Sequence, residues 1–164
     1  MPARIVILFC LFISMVSGAD RNVLLIVADD HGQDTGAYGN NVIKTPHLDR
    51  LASEGTLFAN AFATTASCSA SRSVILSGLF NHRNGQYGHQ HDYHHFQSFD
   101  NLKTLPVLLE EAGYRTASIG KYHVAPERVY HFQEYLPGSS RNPVEMAENS
   151  REFINKDQEQ PFFL

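Results

Sequence analysis

The feature that most constrains the fold is a short apolar run, residues 23–28, which ends abruptly in Asp29 and Asp30. The run is uniformly apolar and rich in β-branched residues, a pattern typical of a parallel strand buried on both faces of a sheet. Ligands of such sheets gather beyond the carboxyl ends of the strands. The two aspartates are therefore expected at an edge of the sheet where a site can form.

Helix and strand patterns alternate along the rest of the chain. Helices are predicted after capping or proline residues, over residues 46–54, 68–77, 105–112 and 143–155. Further strands are predicted over residues 57–62, 114–120 and 160–164, with an irregular segment over residues 81–103. The alternation predicts the α/β class, a sandwich with a mostly parallel central sheet. Lys121 and His123 follow the strand over 114–120, so two strands bring polar residues to one edge.

Residues 1–19 have the organisation of a signal peptide: a positive start, an uncharged stretch over residues 5–16, and small residues at 17–19. A core strand or a membrane anchor is the alternative. The stretch is shorter than the roughly 18 apolar residues that a membrane span needs. We expect an exported mature chain, residues 20–164. Cys10 would leave with the signal, so that Cys68 becomes the single cysteine.

Charge and the chain end narrow the function classes further. Thirteen Lys and Arg against 17 Asp and Glu give a net charge of -4, which argues against binding of nucleic-acid phosphates. The last residues form an apolar, strand-like segment that would expose an unpaired edge if the domain ended there. We therefore expect residues 20–164 to be the N-terminal portion of a longer domain.

Asp29 and Asp30 are candidate metal ligands. Adjacent carboxylates repel each other, and both stay ionised most easily beside a bound cation. Hard oxygen donors suit Ca²⁺ or Mg²⁺, but Ca²⁺ takes about six to eight oxygens, so the pair is only part of a site. A solvated turn is the alternative interpretation.

Cys68 and Arg72 form a second candidate constellation. They are four residues apart, which places them on one face of the predicted helix. The N-terminus of a helix favours an anion, so Cys68 could be an anion-binding nucleophile or a buried, inert cysteine. Lys121 and His123 add a cation and a titratable imidazole at the strand end, unless they are simply exposed loop residues.

The histidines are concentrated in one segment, with His82, His89, His91, His94 and His95 close together in the chain. His91 and His95 have a spacing that could hold zinc on a helix. However, Asp92 stands where a metalloprotease motif requires glutamate. We interpret these side chains as substrate-pocket or loop-packing residues rather than a zinc site.

Together these residues resemble the sulfatase family of the alkaline-phosphatase-like superfamily. The matching segments follow the family order and comprise residues 22–30, 45–49, 68–72, 76–78, 112–114 and 119–123. The resemblance extends over nearly all of residues 22–164 and implies the N-terminal part of an alkaline-phosphatase-like sandwich. Residues 85–88 and 94–99 are most similar to members that hydrolyse the sulfamate of N-sulfoglucosamine. The implied function is hydrolysis of such a sulfamate, or of a sulfate ester, on a sugar.

The resemblance also implies a nucleophile and a metal. A formylglycine-generating enzyme would convert Cys68 to formylglycine, whose hydrated aldehyde would attack the sulfur of the sulfated sugar. Asp29 and Asp30, together with an oxygen at position 68, would hold a Ca²⁺ ion that polarises the sulfate.

Three further roles follow from the same resemblance. Arg72 and Lys121 would neutralise the sulfuryl oxygens, and His123 would hydrogen-bond the nucleophile and transfer a proton.

The family's remaining metal and acid residues are expected after Leu164, so the 164 residues alone are expected neither to complete the Ca²⁺ sphere nor to turn over. The family motif usually has proline where this chain has Ala70. The modifying enzymes accept alanine there in part of the family, so conversion of Cys68 is still expected.

Two other function classes stay open. One is a related metal-dependent phosphoryl hydrolase with an unmodified nucleophile, against which the cysteine argues. The other is a non-catalytic secreted module that binds anionic glycan or a metal. An exported sulfatase would reside in the lysosome of an animal, or in the periplasm or outside the cell of a bacterium.

Overall fold

The computed structural model describes residues 21–91, 93–156 and 159–164, so the predicted signal peptide, residues 1–19, lies outside the described residues. A 3-10 turn at Gly36–Tyr38 is followed in chain order by α1 Pro46–Glu54, α2 Cys68–Ser77, α3 Asn81–Asn84, α4 Leu105–Glu111, β1 Arg115–Ile119, β2 Glu134–Leu136, α5 Pro143–Asn155 and β3 Phe162–Phe163. The four predicted helices are thus present. Within the described ranges, no helix combines the length and hydropathy that a membrane crossing requires.

A three-stranded parallel sheet lies at the centre, in the order β2-β1-β3. β1 pairs with β2 through Ala117 and Glu134, and with β3 through Arg115 and Phe162. Parallel strands need a crossover connection, and α5 lies in the connection from β2 to β3, which flank β1. Phe153 of α5 packs with Ala117 and Phe162 in the main apolar cluster. The predicted α/β class and parallel sheet are confirmed.

The predicted strand over residues 23–28 is confirmed only at its beginning. Val23 forms a single parallel bridge with Phe163, and the Leu25 amide donates to the Leu164 carbonyl at 2.8 Å. Beyond that point the run has no ladder, and its side chains are exposed, Ile26 by 76%. The prediction of a strand buried on both faces was therefore wrong for the described residues. The physical reason is that β3 offers only a short partner and nothing in the described part covers the run.

Three further differences concern segments whose structure depends on tertiary partners. The predicted strand over residues 57–62 is wrong: it lacks a neighbouring strand in the described residues, and Phe62 is exposed. The segment predicted as irregular begins with the short helix α3. Strand β2 was not predicted, because Glu134–Leu136 has too few residues to display a period.

The predicted helix caps are only partly realised. Asn142 caps α5, since its side-chain oxygen accepts from the Glu145 amide at 3.2 Å. Thr45 precedes α1, but its hydroxyl donates to Asp49 and accepts from the Gly36 amide. The Thr104 hydroxyl donates to the Val129 carbonyl instead of capping α4. In both threonines a tertiary partner replaces the local capping bond.

A buried polar side chain, Asn84, ties α2 and α3 to the segment that follows. Its Nδ2 donates to the Ser73 hydroxyl at 3.0 Å and to the Leu79 carbonyl at 3.1 Å. Its Oδ1 accepts from the Gln86 amide at 2.8 Å. Asn84, Ser73 and Gln86 are all completely buried. A side chain lacking these groups would leave several buried partners unsatisfied.

We therefore expect Asn84→Ala to lower the free energy of unfolding by about 2 kcal/mol or more, because buried donors and acceptors lose their partner. Urea unfolding of the variant and of the unaltered protein measures this difference. Asn101→Ala, at an exposed asparagine, is the matched control and should change the free energy by less than about 0.5 kcal/mol. Equal effects of the two substitutions would contradict the assignment of Asn84 as a structural hub.

Candidate active site

An ion pair joins the ends of the two segments that were predicted to share an edge. The Lys121 ammonium donates to Asp29 Oδ2 at 2.8 Å, and Arg72 Nη2 lies 3.6 Å from Asp29 Oδ1. The hydrogen bond from Lys121 is the main reason that the pKa of Asp29 is lowered. The carboxylate is therefore ionised throughout the neutral and mildly acidic range. Arg72 also donates to the Lys121 carbonyl at 2.7 Å, which fixes α2 against this edge.

Cys68 is the first residue of α2 and has a free, partly buried thiol. This position exposes it to the unpaired N–H groups and the positive end of the helix. The pKa of Lys121 is raised chiefly by its hydrogen bond to Asp29, with further contributions from Cys68. Gly78 ends α2 with a φ of 66°, in the left-handed region that glycine adopts without strain. Cys68, Lys121, Arg72 and Asp29 thus form one electrostatically linked group.

Asp29 and Asp30 present carboxylates at the end of the apolar run. Both residues are exposed, and Asp30 has a φ of 52°. Their oxygen donors match the chemistry that Ca²⁺ prefers, but two carboxylates give only part of its usual six to eight oxygens. The donor set therefore fits Ca²⁺ in kind, while Asp29 is held by Lys121 and Arg72.

His123 lies within a stack of imidazoles. Its ring centroid is 4.7 Å from that of His91 and 5.6 Å from that of His89, with the planes nearly parallel. Both ring nitrogens of His123 are buried, and within the described part of the chain they have no hydrogen-bond partner. Burial is the main cause that lowers the pKa of His123, and the positive charge of Lys121 lowers it further. The imidazole is therefore neutral at pH 7.

A cavity of about 1180 Å³ opens beside these side chains, and its wall includes Asp29, Arg72, Lys121, His91 and His123. Much of the remaining wall is apolar, with residues of β1, α5 and the run over residues 23–28. Cys68 and Asp30 are not among the residues that line it in the described part of the chain. The cavity combines cations, an imidazole and a carboxylate in the way expected of a site for an anionic ligand.

The structure brings together most of the predicted site residues and adds two. Asp29, Cys68, Arg72 and Lys121 converge, and His123 lies at the same cavity. His89 and His91 were predicted only as pocket or loop-packing residues, without a partner in the site. The only sign of this cluster in the sequence is the high density of histidine in the segment that contains His89 and His91. This density does not indicate that they approach His123.

The depressed pKa of His123 gives a test of this geometry. Because its pKa is lowered from the ordinary 6.5, the ring should lose its proton below pH 6.5 and be neutral above it. Replacing Lys121 by methionine removes the largest charge contribution, so Lys121→Met should move the pKa of His123 upward.

Histidine titration by ¹H–¹³C NMR measures the shift, with the His123→Gln spectrum providing the assignment. Lys44→Met is the matched control, because Lys44 is exposed and donates to the Asn41 carbonyl instead. A pKa of His123 at or above 6.5, or the same shift in both methionine variants, would contradict the electrostatic account.

Comparisons with known proteins agree on one family. The family model described as Sulfatase matches residues 21–164. Human N-sulphoglucosamine sulphohydrolase is 44% identical over 161 residues, covering 94% of this chain and 32% of the human protein. An N-acetylglucosamine-6-O-sulfatase of Bacteroides thetaiotaomicron is 41% identical over 107 residues, covering 65% of this chain and 18% of that protein.

Solved structures give the same result for the fold. BT4656, in complex with its substrate D-glucosamine-2-N,6-O-disulfate, has a TM-score of 0.67 and 30% identity, covering 87% of this chain and 33% of that chain. This chain thus spans about a third of the length of human N-sulphoglucosamine sulphohydrolase and less of the other curated relative. The family model covers nearly the whole described chain, and the structural neighbour shares its parallel sheet and helices. The chain belongs to the sulfatase family.

Proposed function

We propose that the protein to which this sequence belongs hydrolyses a sulfamate or a sulfate ester on a glucosamine-type sugar. The observation that carries this proposal is the convergence of Asp29, Lys121 and Arg72 with Cys68 at the start of α2. The substrate class is supported by the relatives, of which one is named for N-sulphoglucosamine and another binds D-glucosamine-2-N,6-O-disulfate.

Cys68 is the proposed source of the nucleophile, after conversion to formylglycine by a formylglycine-generating enzyme. When present, formylglycine supplies a hydroxyl that attacks sulfur and a second one that allows sulfate to leave. The N-terminus of α2 stabilises negative charge at this position through its free N–H groups. Partial burial limits the access of bulk water to the side chain. The proposal places the protein among exported proteins, in the lysosome of an animal or outside the cytoplasm of a bacterium.

Lys121 and Arg72 would bind the sulfuryl oxygens. Arg72 has a side chain only 13% exposed, and its buried Nε donates to no acceptor among the residues that the structure describes. Fixed cations in a partly desolvated cavity stabilise the charge that develops on these oxygens more strongly than water does. His123, neutral at pH 7, can accept a proton from the nucleophile and return it later.

Asp29 and Asp30 would hold Ca²⁺ together with the oxygen at position 68 and with ligands from outside this chain. The ion supplies a Lewis acid that polarises the sulfate group. Asp29, one of the two carboxylates that would hold the ion, is also held by the hydrogen bond from Lys121. The requirement for further oxygen ligands follows from the six to eight that Ca²⁺ usually takes.

Conversion of Cys68 can be measured directly. In protein purified from its native source, the tryptic peptide of residues 51–72 should carry an aldehyde in place of the cysteine CH₂SH group, as mass spectrometry would detect. The protein should release sulfate from N-sulfoglucosamine or glucosamine 6-sulfate, and Cys68→Ala should abolish release. An intact, alkylatable thiol in fully active protein would refute the formylglycine mechanism.

The metal role is best tested at Asp30, because Asp29 is also paired with Lys121 and Arg72. We expect Asp30→Asn to raise the Ca²⁺ concentration for half-maximal activity of the native protein about tenfold or more, because one anionic ligand is lost. Asp34→Asn, at an exposed aspartate nearby, is the matched control and should leave this Ca²⁺ concentration unchanged.

Calorimetry should detect no submillimolar Ca²⁺ binding by residues 20–164 alone. Submillimolar binding there, or equal behaviour of the two variants, would contradict the proposed ligand set.

A further inference from the structure

We propose that His89, His91 and His123 form a second metal site, selective for Zn²⁺ and similar transition-metal ions. Each residue offers an imidazole nitrogen, and the three candidate ligand atoms all lie within 4.8 Å of one another. Neutral imidazole is a good ligand for Zn²⁺, Ni²⁺ and Cu²⁺, whereas Ca²⁺ prefers oxygen. This site is therefore chemically distinct from the carboxylates of Asp29 and Asp30.

The distances are close to those that coordination requires. Zn–N bonds of about 2.0–2.1 Å place the nitrogens of a tetrahedral site roughly 3.3 Å apart. The rings are stacked, so they would turn about χ2 to point their lone pairs at one ion. This torsion is broad and weakly restrained in histidine, so the rings can turn at a low energetic cost.

Unsatisfied buried nitrogens are the second observation that points to a ligand. Both ring nitrogens of His123 and Nδ1 of His89 are buried and have no hydrogen-bond partner among the described residues. Native proteins rarely leave buried polar atoms unpaired, because each loses its hydration without compensation. A bound cation would engage the one lone-pair nitrogen that each neutral ring offers. His91 is exposed, which gives an ion a route from solvent to the cluster.

The backbone around the cluster holds the three histidines in place. The Gln90 amide donates to the buried Ser69 hydroxyl at 3.2 Å, which fixes the segment between His89 and His91 to the start of α2. The Phe96 amide donates to the His89 carbonyl at 3.0 Å, closing the loop. His123 is held on the opposite side by the segment after β1. Such anchoring lowers the entropy that binding must overcome.

Occupation of this site would inhibit the reaction, a consequence that rests on the proposed function of His123. A metal ion bound to a ring nitrogen of His123 removes the lone pair that accepts the proton. It also adds positive charge at the cavity and fills space beside Lys121. The site therefore makes hydrolysis sensitive to zinc, and the catalytic histidine is the shared ligand.

The test uses the full native protein saturated with Ca²⁺ and titrated with Zn²⁺ by calorimetry, and with Co²⁺ by visible absorption. We expect stoichiometric binding of one ion, with His89→Gln and His91→Gln each weakening it about tenfold or more. His95→Asn is the matched control in the same loop: asparagine tolerates the left-handed φ of 42° found there, and binding should be unchanged. It also distinguishes this cluster from the His91 and His95 pair considered from the sequence.

Activity provides an independent readout. For each variant, the rate of sulfate release from N-sulfoglucosamine is measured with and without Zn²⁺. The ratio of these two rates is the quantity compared between variants. Zinc should inhibit the unaltered protein, and the inhibiting concentration should rise in His89→Gln and His91→Gln in proportion to the loss of binding. Binding without inhibition would overturn the shared role of His123. If His89→Gln, His91→Gln and His95→Asn all bind Zn²⁺ as tightly as the unaltered protein does, the proposed site is wrong. A protein that binds Zn²⁺ as expected but hydrolyses no sulfated sugar would refute the proposed function and leave the metal site standing.

Discussion

The ion pair between Lys121 and Asp29 is the interaction on which the candidate site depends. It joins two chain segments 92 residues apart at a distance of 2.8 Å. Arg72 contacts both partners, through the Asp29 carboxylate and the Lys121 carbonyl, and so positions α2 and Cys68 relative to them. Lys121 is the more shielded of the two partners, with a side chain 30% exposed against 43% for Asp29. One carboxylate thereby organises two cations and the candidate nucleophile.

Much of the fold could be predicted because it depends on local chemistry. Proline at the starts of α1 and α5, and glycine after α1 and α2, limit the helices whatever surrounds them. Strands are less local. The apolar run over residues 23–28 needs neighbours on both sides, and in the described residues its backbone hydrogen bonds reach only as far as Leu25, which donates to Leu164. Strand β2 exists because β1 lies beside it, and no pattern within Glu134–Leu136 could have revealed that.

The site could be predicted in part for a similar reason. In parallel sheets the strand ends meet, so Asp29 and Lys121 were expected near each other from their order alone. The histidines were harder. His91 and His95 have a helical spacing, but the loop that contains them is not helical, and His89 and His123 are the residues that approach His91. The hydrogen bond between Gln90 and Ser69 that sets this arrangement has no sequence signal.

The parallel pairing of residues 22–25 with residues 162–164 has a consequence for the order in which the protein can fold during its synthesis. Asn22 accepts from the Phe162 amide across 140 residues, and Val23 bridges to Phe163. Such distant pairing has a high contact order and cannot form until the later strand has left the ribosome. Residues 23–28 and Asp29 therefore cannot take up their final positions until residues 162–164 have been synthesised. During that interval Cys68 has been synthesised, but the carboxylate that organises the candidate site is not yet in place beside it.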